Sequence, residues 1–279
     1  MRTLAFTSTL LTLLLLSDAG FCKQPAPLLE IRFNEDATSG EIVAGPGAAP
    51  GSFANAAGRL ANFFSEDAAG VSGKPGDRAF DNSASANGGS GGVARFNTPP
   101  QAPSKAVSLT FTAWIKHEID IEASGNIPRL FKWGTSNADG LDIQFFAPHA
   151  TVFFSADTAT KVGSRLAPNP QELIGKWTFV AVVYSGSGSS GKKVRVFSGS
   201  PDAGIFEIPS AAVAFPDKLI LPAGEVIGVG NVPFGGRAFS GWIDNVRLFV
   251  SESDDSAALE EAAIKSIFEA DQTNSAMNQ

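Results

Sequence analysis

Trp177-Thr178-Phe179-Val180-Ala181-Val182-Val183-Tyr184 is a run of aromatic and β-branched side chains interrupted only by Ala181, and such a run predicts a β-strand. The nine residues after it, Ser185-Gly186-Ser187-Gly188-Ser189-Ser190-Gly191-Lys192-Lys193, read as a hairpin turn into a second strand over 194–197. Upstream, residues 108–116 alternate and are rich in β-formers, and 129–133, 141–146 and 151–154 have the same character. Asn137-Ala138-Asp139-Gly140-Leu141-Asp142 has the outline of a calcium loop without its terminal Glu, so it reads as a turn between two strands. Downstream, 225–229 and 238–250 complete the set. At the other end, residues 28–34 put Leu29, Ile31 and Phe33 on one face, which predicts an opening strand half buried against a core. Residues 38–92, rich in Ala, Gly, Ser and Asn and loosest at Gly88 to Gly92, predict long surface excursions with a few short strands.

One helix is expected, at the end. Asp254, Asp255 and Ser256 offer caps and negative charge at its start. Leu259, Ala263, Ile264 and Ile267 form an apolar stripe, with Glu261 placed to pair with Lys265. Residues 271–279 are expected to be a disordered tail. Many short strands and one terminal helix argue for an all-β, two-sheet antiparallel sandwich spanning 26–270.

Composition narrows the function classes. The 279 residues carry a formal net charge of −7 and no long basic run, which excludes nucleic acid and anionic membrane surfaces as partners. With one cysteine, Cys22, and two histidines, His117 and His149, neither an intramolecular disulfide nor a thiolate or His-rich metal cluster is available. Arg2 precedes an apolar run at Leu10 to Leu16, and small and polar residues follow. That order describes a secretory signal peptide over 1–22, with cleavage after Ala19 or after Cys22. The run is too short for a transmembrane segment, so the expectation is an exported, periplasmic or extracellular protein. A lipoprotein with lipid on Cys22 is the alternative, but Phe21 is large where that signature wants a small residue.

Several of these segments, in this order, resemble the laminin-G-like jelly-roll domains of the concanavalin A-like lectin and glucanase group. The carrying motifs are the opening strand and loop at 29–40, the Gly-rich stretch and short strand at 79–96, and Ser-Leu-Thr-Phe-Thr-Ala-Trp-Ile-Lys at 108–116. They continue with the Trp177 strand and close on Phe239-Ser240-Gly241-Trp242-Ile243-Asp244-Asn245-Val246-Arg247-Leu248-Phe249 and a small helix at 259–271. The resemblance implies a jelly-roll sandwich of two antiparallel sheets with loops at the rims available for binding. It points to a non-catalytic binding or surface-interaction module whose partner is a glycan or an extracellular protein.

A rival reading rests on His117-Glu118-Ile119-Asp120-Ile121-Glu122. On a strand Glu118, Asp120 and Glu122 share a face, and retaining glycosidases need two carboxyls ~5 Å apart. The pattern resembles the catalytic strand of lichenases, laminarinases and xyloglucan transglycosylases. That likeness makes Glu118 the nucleophile, Asp120 its helper and Glu122 the acid/base of a retaining β-glucan hydrolase or transglycosylase. The sequence departs from that family at Ala123-Ser124-Gly125, where a bulky apolar pair and Gly belong. Its Trp114, Trp133, Trp177, Tyr184 and Trp242 also all fall in strand patterns that make them core or sheet residues. The triplet therefore reads as an acidic, solvated loop, and no cofactor follows from it. The jelly-roll likeness further implies a structural calcium held by Asp244 with Glu30; the competing reading of Glu30 is a charge pair with Arg32 or Arg247.

Overall fold

The computed structural model describes residues 25–35, 40–45, 47–54, 63–85, 89–117, 127–135, 139–157, 160–189, 191–222 and 224–273. The chain forms two packed antiparallel sheets. The first, seven-stranded, runs in the order β1 (Leu29–Ile31), β17 (Gly241–Ser251), β7 (Ser108–His117), β12 (Thr178–Ser185), β13 (Val194–Ser200), β14 (Gly204–Ile208), with β4 (Phe80–Asp81) also on β17. The second, eight-stranded, runs β11 (Lys161–Arg165), β10 (Thr151–Asp157), β9 (Asp139–Phe146), β8 (Arg129–Trp133), β16 (Val226–Val229), β5 (Val93–Asn97), β3 (Gly51–Ala54), β2 (Glu41–Ile42). A separate two-stranded ribbon joins β6 (Lys105–Ala106) to β15 (Leu219–Ile220). The mixed sequence order within each sheet is what a jelly roll produces when strands cross between layers.

The register of β12 explains why its sequence is apolar throughout. Val180, Val182 and Tyr184 point between the sheets into the main core, with Phe111, Ile143, Phe154 and Leu248. Phe179, Ala181 and Val183 point the other way, joining Trp114, Phe197 and Phe249 beneath α1 (Glu261–Thr273). The seven-stranded sheet is thus buried on both faces, and period-two alternation disappears from a strand with no wet side. The α1 residues Ile264, Ile267 and Phe268 supply the cover, and Phe268 stacks on Trp114 with ring centroids 5.2 Å apart.

Four expectations need correction. The opening strand stops at Ile31 because Phe33 turns into the left-handed region at φ 54°, although its ring stays buried against Phe80 at 5.8 Å. The helix begins at Glu261 rather than beside Asp254. Ser108 Oγ donates to the Asp254 carbonyl, and the Asp254 carboxylate accepts from Ser251 and Ser256. The Ser108 and Ser251 bonds hold that segment in turns against β7 and β17, and the Ser256 bond closes a turn within it. The helix then runs on through Thr273, so residues 271–273 of the expected tail are helical and Asp271 is buried; 274–279 lie outside the described residues. Lys265 pairs with Glu269 at 3.9 Å, one turn later than the Glu261 partner expected.

Candidate functional site

A cavity of about 910 Å³ opens at the side of the sandwich, between the end of β11 in one sheet and edge strand β14 in the other. Its inner wall is built by alternation. Ser198 on β13 faces Phe206 on β14 across the ladder, and Thr178 begins β12 on the same side as Val180. Leu166, Ala167 and Pro168, after β11, close it from the opposite sheet, with Leu173 from a short 3-10 turn. That turn starts on Asn169, whose side chain accepts from the Gln171 N–H at 3.2 Å, with Pro170 preset for the first helical position.

Two aromatic side chains reach this space. Phe206 is 46% exposed, and Trp177 is half-buried where the chain enters β12. Glu172, Asp202 and Glu207 stand at the rim together with Arg165 and Lys176. At the back, the Thr178 hydroxyl is 2% exposed and has no hydrogen-bond partner among the described residues. A buried hydroxyl left unpaired costs about 1–3 kcal/mol, so this one is a group in want of a partner. Rings to stack on, a free hydroxyl and rim carboxylates are what a sugar surface requires of a protein.

The five aromatics assigned to strand patterns divide. Trp114, Trp133 and Tyr184 are fully buried, and the Tyr184 hydroxyl donates to the Pro216 carbonyl at 2.7 Å. Burial, with the charges of Asp217 and Asp255, raises that phenol to about 12. Trp177 lines the cavity while packing, half-buried, against the helix-side cluster of Trp114 and Phe179, and half-buried Trp242 lies under the Lys116 ammonium at 3.8 Å. Periodicity placed all five on strands, but it does not say which strand ends overhang a gap between sheets.

The residues of the rival catalytic reading, Glu118, Asp120 and Glu122, lie outside the described residues; β7 is described to His117. Glu30 and Asp244 are both described, on adjacent strands. Glu30 Oε1 accepts from Arg32 Nη2 at 2.9 Å and from Arg247 Nε at 3.1 Å. Burial works against its charge, but the guanidiniums of Arg247 and Arg32 hold its carboxyl below the ordinary value. Asp244 Oδ2 accepts from the Val71 N–H at 3.0 Å and Oδ1 from the Asn245 N–H at 2.7 Å. A calcium ion needs six to eight oxygens, and a guanidinium already occupies the place beside Glu30, so this pair does not fit that ion. Among the described residues no group of three or more His, Cys, Asp or Glu is placed to hold a metal.

Asp244 has a consequence of its own. It is 0% exposed, and burial, reinforced by the charge of Asp77, raises its carboxyl well above the ordinary range against the pull of the two N–H donors. A carboxyl raised in the folded state contributes stability that is present below its unfolded pKa and lost as pH rises through the folded value. Urea unfolding of wild type should therefore show stability falling between pH 4 and pH 8 more steeply than in Asp244→Asn. Equal slopes in the two proteins would refute this.

Residues 87–256 match the Laminin_G_3 family model, described as the concanavalin A-like lectin/glucanases superfamily. Comparison with curated proteins finds no match. Among solved structures, domain 4 of AbnA, a GH43 extracellular arabinanase from Geobacillus stearothermophilus, in complex with arabinotriose, superposes with TM-score 0.52 at 13% identity, over 88% of this chain and 99% of that one. The botulinum neurotoxin serotype D binding domain gives 0.51 at 12%, over 88% and 50%. The binding domain of botulinum neurotoxin DC in complex with SialylT gives 0.50 at 12%, over 89% and 52%. The chain spans about half the length of those neurotoxin chains. At such identities the likeness is one of fold, a sandwich shared with binding domains.

Proposed function

This chain belongs to the Laminin_G_3 family of the concanavalin A-like lectin/glucanase superfamily, and we propose that it is a non-catalytic carbohydrate-binding module working through the side cavity. The observation that carries the reading is the combination of half-buried Trp177, exposed Phe206 and the unpartnered Thr178 hydroxyl around one opening. Arabinotriose in complex with the AbnA domain supports a glycan as the class of ligand. The basic start and apolar run within residues 1–22 support export, and extracellular glycans are then within reach. Among the described residues no helix is long and apolar enough to cross a membrane.

Isothermal titration with arabinotriose, xylotriose and laminaritriose tests the site. Binding of at least one is expected, with Trp177→Ala weakening it about tenfold, the loss of a stacking contact worth ~1.4 kcal/mol. Thr178→Val separates recognition from folding. Removing an unpaired buried hydroxyl leaves stability unchanged or raises it by about 1 kcal/mol, while a hydroxyl that bonds the sugar is missed in affinity. No binding to any of the three, or wild-type affinity in Trp177→Ala, would reject the cavity as the site.

A further inference from the structure

The outer face of the eight-stranded sheet has a different chemistry from the cavity. Arg95, Gly228, Lys132, Asp142, Ser155 and Lys161 are successive cross-strand partners in one row over it. Their strand neighbours Ala94, Ile227, Phe131, Ile143, Phe154 and Val162 lie in the main core, so strand alternation turns the row away from it. Gly228 leaves room for the loop that crosses the row at its middle, because a Cβ there would stand 2.7 Å from the Asn231 carbonyl oxygen and 3.0 Å from Pro233 N. Lys132, Asp142 and Ser155 are buried, and Lys161 stays partly exposed.

Around Asp142 the row becomes a connected cluster. Arg129 Nε lies 2.7 Å from Asp142 Oδ1 and 2.9 Å from Oδ2. Gln144 donates to Asp142 Oδ2 at 3.0 Å, and Gln144 Oε1 accepts from Lys161 Nζ at 2.7 Å. Lys161 stands 4.0 Å from the centre of the Phe153 ring. Arg237 arrives from a loop pinned beside this group: Arg129 N–H donates to the Arg237 carbonyl at 3.0 Å, and Arg237 N–H to Asn231 Oδ1 at 2.8 Å. Arg129, Lys161 and Arg237 therefore gather around one carboxylate, which also has buried Lys132 as its cross-strand neighbour. Neither Lys161 nor Arg237 has a carboxylate within ion-pair distance among the described residues.

Scattered surface cations without partners are ordinary, and each alone means little. These differ because two of them, Arg129 and Lys161, stand on paired strands, the third comes from a loop hydrogen-bonded to that sheet, and they repel one another. Burial lowers the Lys161 ammonium from its ordinary value, and the charges of Arg129 and Arg237 lower it further against the pull of Asp142. An anion lodged beside Lys161 and Arg237 relieves that repulsion with charge-assisted hydrogen bonds. The excess stands out on a chain whose net charge is −7.

We propose that this face is a second binding site, which takes a carboxylate-bearing glycan by placing the carboxylate between Lys161 Nζ and the Arg237 guanidinium. The choice of a glycan rests on the carbohydrate-binding reading above; the site and the sign of its ligand rest on the cluster. The full chain would be titrated with polygalacturonate, alginate, hyaluronate and sialyllactose, and with methyl-esterified polygalacturonate as the uncharged counterpart.

Binding to at least one carboxylated glycan is expected. It should weaken about tenfold for each charge removed in Lys161→Gln and Arg237→Gln. It should also fall as salt is raised and survive in Lys161→Arg. Arabinotriose binding should be the same in all these variants. The proposal is overturned if none of the four glycans binds, if the methyl ester binds as well as the acid, or if the double Gln variant keeps wild-type affinity. Loss of neutral-sugar binding in Trp177→Ala with acidic binding intact upholds this site, whereas the absence of all neutral-sugar binding sinks the cavity alone.

Discussion

Replacing Arg247 by Met should lower the unfolding free energy by about 3–5 kcal/mol, the cost of leaving a buried charge without its partner. Arg247 is 8% exposed and sits on β17 under α1. Its Nη2 donates to Asp271 Oδ1 at 2.7 Å and its Nη1 to Oδ2 at 3.0 Å, a two-pronged pairing with a side chain at the end of the helix. Its Nε reaches Glu30 on β1. Burial opposes the guanidinium's charge, but Asp271 and Glu30 more than offset it and raise its pKa above the ordinary value. One side chain thus joins three elements distant in sequence.

Without Arg247, Asp271 keeps, among the described residues, only the indole N–H of Trp114, at 3.0 Å, as a donor, and its ionised form becomes expensive. The penalty is absent below the unfolded carboxyl pKa and grows as pH rises through the raised folded value. The Arg247→Met loss should therefore be smaller at pH 4 than at pH 8 in urea titrations. Arg247→Met combined with Asp271→Leu should recover most of it, because no unpaired charge remains. A single variant within 1 kcal/mol of wild type at pH 8 would show that the network carries no net stability.

The core of this fold was legible in the sequence because burial on one or both faces leaves a pattern. The strand at 129–133 has the bounds its residues suggested, and Trp177-to-Tyr184 is a strand from Thr178 onward. Short strands were harder. β2 has two residues and β14 begins at a glycine with φ 73°; their pairing is decided by neighbours far along the chain, and local propensity has little to act on. The helix start was misplaced for a related reason. Acidic caps at 254–256 satisfy local rules, but Thr110 takes over the backbone there, its hydroxyl donating to the Ala257 carbonyl and accepting from the Leu259 N–H.

The two candidate sites were invisible for a topological reason. The cavity gathers residues 165–178 and 198–209 from the ends of different strands, and the cationic cluster joins Arg129, Lys161 and Arg237 across strands and a loop. No spacing rule links such positions. The signals available were weak: an aromatic at the first residue of a strand pattern, and a lysine followed by the single β-branched residue Val162. The motif that did stand out, Glu118 to Glu122, concerns residues outside those described, so its chemistry is a separate question from either site.

Removing the chain from Leu259 onward should prevent the protein from accumulating in soluble form. Leu259, Ile264, Ile267 and Phe268 are all buried on the outer face of the seven-stranded sheet. Their loss uncovers Trp114, Phe179, Phe197 and Phe249 as one contiguous apolar patch on a sheet, which is an aggregation surface. It also strips Trp114 and Arg247 of Asp271. Because such a truncation can fail for more than one reason, Phe268→Ala is the graded counterpart. Its ring stacks on Trp114 and meets Phe179 edge-on at 5.5 Å, so its removal should cost about 3–5 kcal/mol in urea unfolding while far-UV circular dichroism keeps the β signature. A soluble, cooperatively folding truncated chain, or a Phe268→Ala loss under 1 kcal/mol, would mean that the sandwich stands without the helix. The sheet's outer face would then be a surface the protein can expose, and the reason for its uninterrupted apolar strands would have to be sought in a partner.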